Sequence, residues 1–372
     1  MKKFLLYVLA LVMVMGFCAA PAVAADDITI GVSIWSSTDT LGSQVKRILD
    51  AAAEALGVSV MYVDQAHISE RVTASMETLA AAGVDGVIIC NSSSAEMTSV
   101  INTANQNQVY VAQFFRVINQ ELNPNEHALA SSSPYYVGAV HEDEVANGAN
   151  LVRILGEQGK RKIGLQGWEA GDATWLGRWE GYQKGIAEWN AANPNAQMEL
   201  LDPQYGGTTS DTARATAEAI IAANPDIDAL IVAGGGGDTI VGGIAALDGL
   251  GVVGRISTAS TDFLPDLPEQ IERGAVAVQS GGHYADPLFA FMMVYNAIKG
   301  NYDVPADGFH RILFPYLYVA SVGDYGDYGT YFVDSLPYTA EELVEMSNMS
   351  FEELAATAAR LSIEDVAARH GE

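Results

Sequence analysis

The stretch ITIGVSIWSSTDTLGSQVKRILDAAAEAL, residues 28–56, contains the structural unit from which most of the chain is built. Residues 28–35 are mainly apolar and β-branched, which predicts a strand. In residues 41–56 the apolar side chains recur at helical spacing. The unit is therefore a strand followed by a helix that packs back on it.

The same unit recurs along the chain in two series. In the first series, further strands are predicted at residues 58–63, 86–90 and 109–114. In the second series, strands are predicted at residues 135–140, 162–166, 229–233, 256–260, 275–280 and 312–319. Repeated strand–helix units indicate parallel sheets with right-handed crossovers and helices on both faces. The predicted fold class is therefore α/β, with two lobes.

In open parallel sheets, ligands bind beyond the carboxyl ends of the strands. The residues that directly follow each predicted strand are therefore the candidate binding residues. Trp35 and Trp168 stand at such ends, where the pattern is equally compatible with a ligand contact and with core packing. Trp175 begins a predicted helix at the same edge, and we expect it to contact the ligand.

The N-terminus has the features of a targeting segment. Lys2 and Lys3 precede an apolar run over residues 4–17, and small residues follow up to Ala24. This order predicts a secretory signal peptide over residues 1–25 and hence an exported, periplasmic protein. Lipidation of the cysteine within the segment is the alternative, which the bulky residue before that cysteine disfavours.

Composition excludes several classes of partner. The chain of 372 residues has 19 basic and 46 acidic residues, which argues against binding to nucleic acid or anionic membranes. After signal cleavage Cys90 is the sole cysteine, so we expect no intramolecular disulfide. The length exceeds that of a usual single domain and favours two domains.

Seven segments together resemble the ribose/galactose-type sugar-binding proteins, which are type I periplasmic binding proteins of ABC importers. The resemblance covers roughly residues 28–322. The order and spacing of the segments are specific, although each segment alone is only a strand–turn–helix unit. The segments are ITIGVSIW (28–35), GVDGVIICNSSS (83–94), VYVAQFFR (109–116), HEDEVANGANL (141–151), IGLQGWEAGDATWLGRWEGYQKGI (163–186), DIDALIVAGGGGDTIVGGIAAL (226–247) and STDFLPDLPEQIERGAVAVQSGGHYADPL (260–288).

The resemblance implies two Rossmann-like lobes with parallel sheets, joined by a three-crossing hinge near Asp143, His283 and Val319. The N-terminal lobe would comprise residues 26–141 and 283–318, and the C-terminal lobe residues 142–282 and 319–322. Residues 323–372 would form a helical extension that begins with a Gly/Tyr/Asp loop and packs against a lobe or the hinge. A small polar ligand, a sugar or polyol, would be enclosed by lobe closure and delivered by a monomer to an ABC permease.

Several ligand-binding positions carry over individually from the family. Arg116 and Asp262 lie where the family places an arginine and an aspartate that hydrogen-bond sugar hydroxyls, a task suited to planar guanidinium donors. Asp39 matches a polar ligand contact in the turn after the first strand. Asp143 and His283 lie at the hinge crossings and are expected to border the ligand.

Other positions depart from the family pattern. Phe115 replaces the aspartate of the usual Asp-Arg pair, and Gly236 stands in place of the asparagine of an Asn-Asp pair. The arginine expected in the first turn of the helix after GWEAGDATW (167–175) is Leu176, with Arg178 two residues further on. We expect Gly236 to allow close approach of the backbone to the ligand. Aromatic residues are plentiful near the expected mouth of the cleft and suggest a ligand with a sizeable apolar face or one smaller than a hexose, since aromatic rings bury large areas. They are Trp35, Phe114, Phe115, Trp168, Trp175 and Tyr284.

The sequence indicates no catalytic, metal or cofactor site. The His-Glu-Asp run at residues 141–143 lacks a second matching pair of metal ligands elsewhere in the sequence. Adjacent residues of a strand also point to opposite faces, so the run is not expected to hold a metal ion. The glycines at 234–237 do not match a dinucleotide-binding fingerprint, and no nucleophile elbow occurs. A ligand sensor for a chemoreceptor or histidine kinase and an exported enzyme on the same scaffold remain the alternative functions.

Overall fold

The computed structural model describes residues 28–234, 237–305 and 308–371. The predicted signal peptide lies outside the described residues. Within the described residues, the longest and most apolar helices still fall short of what is needed to cross a membrane.

The strands alternate with helices over most of the described chain. The strands are β1 (Thr29–Ile34), β2 (Ser59–Asp64), β3 (Gly86–Ile89), β4 (Tyr110–Phe114), β5 (Tyr136–Glu142), β6 (Lys162–Gly167), β7 (Glu199–Leu200), β8 (Gln204–Tyr205), β9 (Ala229–Val232), β10 (Ser257–Thr261), β11 (Val276–Gly281), β12 (His310–Phe314) and β13 (Leu317–Val319).

The helices connect these strands and form the C-terminal tail. They are α1 (Thr40–Leu56), α2 (Glu70–Ala81), α3 (Glu96–Asn107), α4 (Pro124–Ser132), α5 (Glu144–Glu157), α6 (Ala173–Ala192), α7 (Ser210–Ala223), α8 (Asp238–Leu250), α9 (Leu267–Glu272), α10 (Asp286–Ile298), α11 (Val322–Tyr328), α12 (Ala340–Met346), α13 (Phe351–Ala359) and α14 (Ile363–His370). A 3₁₀ turn, His283–Ala285, precedes α10, and a π-helical segment, Gly329–Asp334, follows α11.

The strands form two sheets, and each sheet defines a lobe. The first sheet has the order β12-β5-β4-β3-β1-β2 and is parallel throughout. The second has the order β13-β11-β10-β9-β6-β7, with β8 also paired to β6. Its strands are parallel except for β13, which is antiparallel to β11. The α/β fold class with parallel sheets in two lobes is therefore confirmed.

The two sheets follow the same winding rule. In each, the second strand lies outside the first, and the third strand pairs on the other side of the first. The order therefore reverses between β1 and β3 in the first lobe and between β6 and β9 in the second. Ligands of doubly wound sheets bind at the carboxyl ends of the strands on either side of such a reversal. Trp35, which follows β1, and Trp168, which follows β6, hold equivalent positions.

The chain passes between the lobes at three places. It enters the second sheet after Glu142 and returns after Gly281, where α10 packs on β3, β4 and β5. The third crossing lies between Phe314 and Leu317, earlier in the chain than the predicted third crossing near Val319. The predicted single strand over residues 312–319 is wrong because its two halves, β12 and β13, belong to different sheets.

The tail contacts both lobes. Helix α11 packs on α9 and β13 of the second lobe, where the Tyr328 ring lies 4.5 Å from that of Phe263. Helix α12 packs on α1, and α13 packs on β12, so the chain returns to the first lobe. Arg47 of α1 donates a 2.6 Å hydrogen bond to the carbonyl of Val333, and Tyr284 donates one of 2.8 Å to the carbonyl of Phe332.

The expected loop at the start of the tail is a helix instead. Ser321 caps α11 by accepting a hydrogen bond from the Asp324 N–H at 3.1 Å. The buried ring of Tyr328 then packs on the second lobe. Tertiary packing and an N-cap therefore outweigh the low helix propensity of the two glycines in this stretch.

Helices α5 and α6 approach each other unusually closely in the second lobe. A Cβ atom on Gly148 would lie 2.5 Å from the carbonyl oxygen of Arg178, and one on Gly181 would lie 2.3 Å from that of Val145. These glycines are buried where the two backbones touch. They bring α6 close enough to α5 for the side chain of Arg178 to reach the residues after the first crossing.

We predict that Gly181→Ala lowers the free energy of unfolding by about 1–3 kcal/mol, because the added methyl overpacks a backbone contact. Gly326→Ala is the matched control, since a Cβ there meets no atom within 4 Å and the glycine lies in an exposed helix. We expect the control to be neutral or slightly stabilising. Urea unfolding measures both, and equal costs for the two variants would contradict the close contact.

Candidate functional site

A cleft of about 240 Å³ lies between the lobes at the carboxyl ends of both sheets. The first lobe lines it with residues at or directly after the ends of its strands: Trp35, Cys90, Asn91, Phe115, Arg116 and Glu142. The second lobe and the crossings contribute Glu144, Trp168, Asp172, Thr174, Arg178, Asp262, His283 and Tyr316. The cleft therefore lies where doubly wound sheets bind ligands.

A continuous row of rings runs along the cleft from the first lobe to the third crossing. The ring centroids of Trp35 and Phe115 lie 5.5 Å apart, and those of Phe115 and His283 lie 5.2 Å apart. His283 in turn lies 4.8 Å from Tyr316. We call these four residues the aromatic row. It gives the cleft an apolar surface with polar edges.

A second indole faces the cleft from the other lobe. The half-buried Trp168 packs at 6.0 Å against Trp175, and the Arg178 guanidinium lies 5.6 Å from its ring. Trp175 itself is fully buried and stacks on Trp179 at 5.7 Å. Trp175 thus holds Trp168 in place from behind.

Two strand ends at the cleft have strained backbones. Phe115, after β4, has φ 58°, and Asp262, after β10, has φ 78°. Left-handed conformations are costly for residues other than glycine and cluster at functional sites. β4 and β10 occupy equivalent positions in the two sheets. Each lobe therefore presents one strained residue to the cleft at the corresponding place.

A buried ion pair organises the second-lobe side of the cleft. Arg178 donates to the carboxylate of Glu144 through Nε at 2.7 Å and through Nη2 at 3.2 Å. Its Nη1 donates to the carbonyl of Ala233, at the end of β9, at 2.7 Å. Tyr316 accepts from Arg178 Nη2 at 3.1 Å and donates to Glu144 Oε1 at 2.9 Å. The network joins α6, the first crossing and the third crossing.

Arg116 is the cationic group of the first lobe. Its Nη1 donates a 2.9 Å hydrogen bond to the carbonyl of Phe115, which bends the side chain back over its own backbone. Its Nε is buried and has no hydrogen-bond partner among the described residues. A ligand oxygen in the cleft would therefore satisfy a donor that the chain itself leaves unsatisfied.

Two titratable groups on the hinge side are held in their neutral forms. Burial, and then the positive charges of Arg178 and Arg116, lower the pKa of His283 well below its usual range. Its contact of 3.3 Å with Asp262 Oδ1 is therefore made by a neutral ring. Burial, and then the charge of Glu144, raise the pKa of Glu142 to about 8.

The charges that line the cleft disfavour an anionic ligand. The lining contains two guanidinium groups, and Glu144 neutralises one of them. Apart from Glu142, whose raised pKa keeps it neutral, its carboxylic acids are more numerous: Glu144, Glu169, Asp172 and Asp262. An anionic ligand would meet this acidic surface. Among the described residues, no group of three or more His, Cys, Asp or Glu side chains is arranged to hold a metal ion.

The family model described as "Periplasmic binding protein domain" matches residues 30–301. The chain belongs to this family. The matched range includes every strand end that borders the cleft before the third crossing. A search of curated proteins found no match.

Solved structures of sugar-binding proteins share the fold of this periplasmic binding protein. A solute-binding protein of an ABC transporter from Actinobacillus succinogenes 130z with bound D-allose has a TM-score of 0.68 at 15% identity, covering 81% of this chain and 100% of its own. A galactofuranose-binding protein has a TM-score of 0.65 at 20% identity, covering 87% and 99%. The arabinose-binding component from Shewanella sp. ANA-3, bound to α- and β-L-arabinofuranose, has a TM-score of 0.63 at 18% identity, covering 92% and 99%.

Six of the predicted site residues line the cleft of this periplasmic binding protein. They are Trp35, Phe115, Arg116, Trp168, Asp262 and His283. Gly236 lies outside the described residues, and its neighbour Gly237 has φ 96° at the start of α8.

Three predicted ligand contacts do not line the cleft, because their side chains serve the fold. Asp39 caps α1 by accepting from the Gly42 N–H at 2.7 Å, and it also accepts from the Trp35 indole N–H at 2.7 Å. Asp143 caps α5 by accepting from the Ala146 N–H at 2.8 Å. Trp175 is buried in the core of the second lobe.

The sequence interpretation missed several groups that line the cleft. Glu142 and Glu144 flank the aspartate that was expected to do so. The family pattern shows Arg178 only as displaced from the expected position, and the predicted strand over residues 312–319 contains Tyr316. Gln65, after β2, is buried and donates to Ser33 Oγ at 2.8 Å and to the carbonyl of Cys90 at 2.9 Å.

We predict that Arg178→Met lowers the free energy of unfolding by about 3–5 kcal/mol, because it leaves Glu144 partly buried without its cation. Arg153→Met is the matched control: Arg153 pairs with Glu157 at 2.6 Å, and both side chains are about half exposed, at 52% and 53%. Breaking that pair should cost at most about 1 kcal/mol. Urea unfolding of both variants is the measurement, and a similar small cost for each would contradict the organising role of Arg178.

Proposed function

We propose that this protein is an extracytoplasmic solute-binding protein that captures a small uncharged sugar or polyol in the cleft. The observation that carries the proposal is the composition of that cleft. Indoles face it from both lobes, hydrogen-bonding groups lie between them, and its charges are unfavourable to anions. This combination suits a compact molecule that has both apolar faces and many hydroxyl groups.

Each part of such a ligand has a complementary surface in the cleft. The C–H face of a sugar ring would pack on Trp35 or Trp168, where large aromatic areas can be buried. Arg116 Nε would donate to a ring or hydroxyl oxygen, and Asp262 would accept from a hydroxyl. Hydrogen bonds to charged groups contribute about 1.5–3 kcal/mol each, so two of them would dominate specificity.

Membership of the periplasmic binding protein family and the similar solved structures support this proposal. Those proteins bind D-allose, galactofuranose and L-arabinofuranose, respectively. Other similar structures carry D-fucose and β-D-fucofuranose. All of these are neutral sugars, in agreement with the charges that line the cleft.

The same proposal assigns a location and a partner. The N-terminal segment would direct export to the periplasm and be removed, and the mature monomer would enclose its ligand by lobe closure. The closed form would then be recognised by an ABC permease. The protein would perform no chemistry on its ligand.

The first test of the function is a thermal-shift screen with D-allose, D-fucose, L-arabinose and D-galactose. We expect at least one sugar to raise Tm in a saturable manner, since a ligand at 100 times its Kd stabilises the folded state by about 2.7 kcal/mol. Native mass spectrometry of freshly purified protein should also detect any sugar retained from the host. Absence of both a shift and a retained small molecule would contradict the proposal.

Arg116→Ala tests the contact that the sequence and the structure both favour. We expect it to weaken binding of the responding sugar roughly 10- to 100-fold, which corresponds to loss of one hydrogen bond from a charged donor. Arg71→Ala is the control, since Arg71 is exposed and away from the cleft lining. Isothermal titration calorimetry measures both, and equal affinities would remove Arg116 from the site.

Export is tested independently of the ligand. We expect protein expressed with its full N-terminus in a Gram-negative host to appear in the periplasmic fraction. Its mature sequence should begin at Ala25 or Asp26, as read by N-terminal sequencing. Retention of the intact N-terminus in the cytoplasm would contradict the assigned location.

A further inference from the structure

The hinge side of the cleft contains a pair of buried carboxyl groups. Glu142 is the last residue of β5, at the first crossing, and Asp286 is the first residue of α10, after the second crossing. Glu142 is 6% exposed and lines the cleft, and Asp286 is fully buried. The two side chains lie within hydrogen-bonding reach of each other.

The hydrogen bonds of this pair are complete only if it carries a proton. Asp286 Oδ1 accepts from the Phe115 N–H at 3.2 Å. Glu142 Oε1 and Asp286 Oδ2 are both buried and have no hydrogen-bond donor among the described residues. Two carboxylates cannot satisfy each other, because each oxygen only accepts. One shared proton would satisfy both oxygens and would remove the repulsion between two buried charges.

The surroundings do not supply enough positive charge to hold both groups ionised. Arg116 is the cation that faces Glu142 from the end of β4, and Arg178 is already paired with Glu144. The remaining titratable groups close to the pair are the thiol of Cys90 and the hydroxyl of Tyr316. Burial raises the pKa of both above the usual range, so both stay neutral and add no compensating charge.

We propose that Glu142 is a ligand-contacting residue of the cleft and that it holds a proton in common with Asp286. The pair then bears at most one negative charge on the wall that the ligand touches. A carboxyl in this position accepts a hydrogen bond from a ligand hydroxyl and repels a ligand carboxylate. The contact with the ligand rests on the proposed function, whereas the shared proton does not.

The shared proton predicts a specific pH dependence of stability. Burial and then Glu144 raise the pKa of Glu142 from 4.5 to about 8 in the folded protein. Below pH 4.5, the pKa of the unfolded glutamate, Glu142 is protonated in both the folded and the unfolded states, and its titration does not lower the free energy of unfolding. Between pH 4.5 and about 8 the folded state binds more protons than the unfolded state, so the free energy of unfolding falls as pH rises. The contribution of Glu142 should be lost once the pH exceeds about 8.

The decisive experiment measures Tm of the ligand-free protein at pH 6 and pH 9 for the wild type and for Glu142→Gln, Asp286→Asn and Glu54→Gln. Either amide at the pair supplies a hydrogen that does not titrate. We expect wild type and the exposed control Glu54→Gln to lose at least about 2 °C more than the two pair variants over this interval. Equal losses in all four proteins would overturn the shared proton.

The ligand contact is tested with the sugar that gives the largest shift in the wild type. We expect Glu142→Ala to weaken its binding at least tenfold and Glu142→Gln, which keeps an acceptor oxygen, to weaken it less. Unchanged affinity in Glu142→Ala would overturn the contact. If no sugar in the panel binds the wild type, the proposed function and the ligand contact fail, while the ligand-free Tm values still decide whether the proton is shared.

Discussion

The arrangement of the cleft depends on one buried cation. Arg178 is 5% exposed, and a guanidinium at that depth must be paired on every side, or the cost of burying it exceeds its benefit. Its partners are the residue after the first crossing, Glu144, the end of β9 at Ala233, and Tyr316 in the third crossing. One side chain therefore aligns a helix, a strand end and two hinge segments. The contact of α5 with α6 at Gly181 is what brings it within reach.

Much of the fold could be predicted from the sequence, because strands buried on both faces produce continuous apolar runs that are easy to recognise. The same property explains the error in residues 312–319. The run remains apolar and aromatic across the third crossing, so hydrophobicity alone does not separate β12 from β13. Pro315 was the available signal, since proline cannot donate within a ladder and rarely lies inside a strand. The contacts of the tail with α1 and β12 have no comparable signal, because they depend on tertiary packing.

The candidate site could be predicted from residues at strand ends, but not from acidic residues that directly precede helices. Trp35, Phe115 and Trp168 line the cleft because parallel strands end at a common edge. Asp39 and Asp143 directly precede helices, and aspartate in that position commonly caps the first turn. Which of several adjacent acids faces the cleft depends on strand register, and the pairing of Phe314 with Glu142 that sets it joins residues far apart in sequence.

The second crossing provides the common support for the strained residues of both lobes. Asp286 accepts from the Phe115 N–H, and the carbonyl of Ser280 accepts from the Asp262 N–H at 2.8 Å. His283, between these two supports, packs on the ring of Phe115 and contacts Asp262. Two costly left-handed conformations, one in each lobe, are therefore held by a single short segment. Each supporting bond lies within one lobe, so the lobes can rotate about residues 281–285 with both conformations intact, and closure is expected to pivot about this segment.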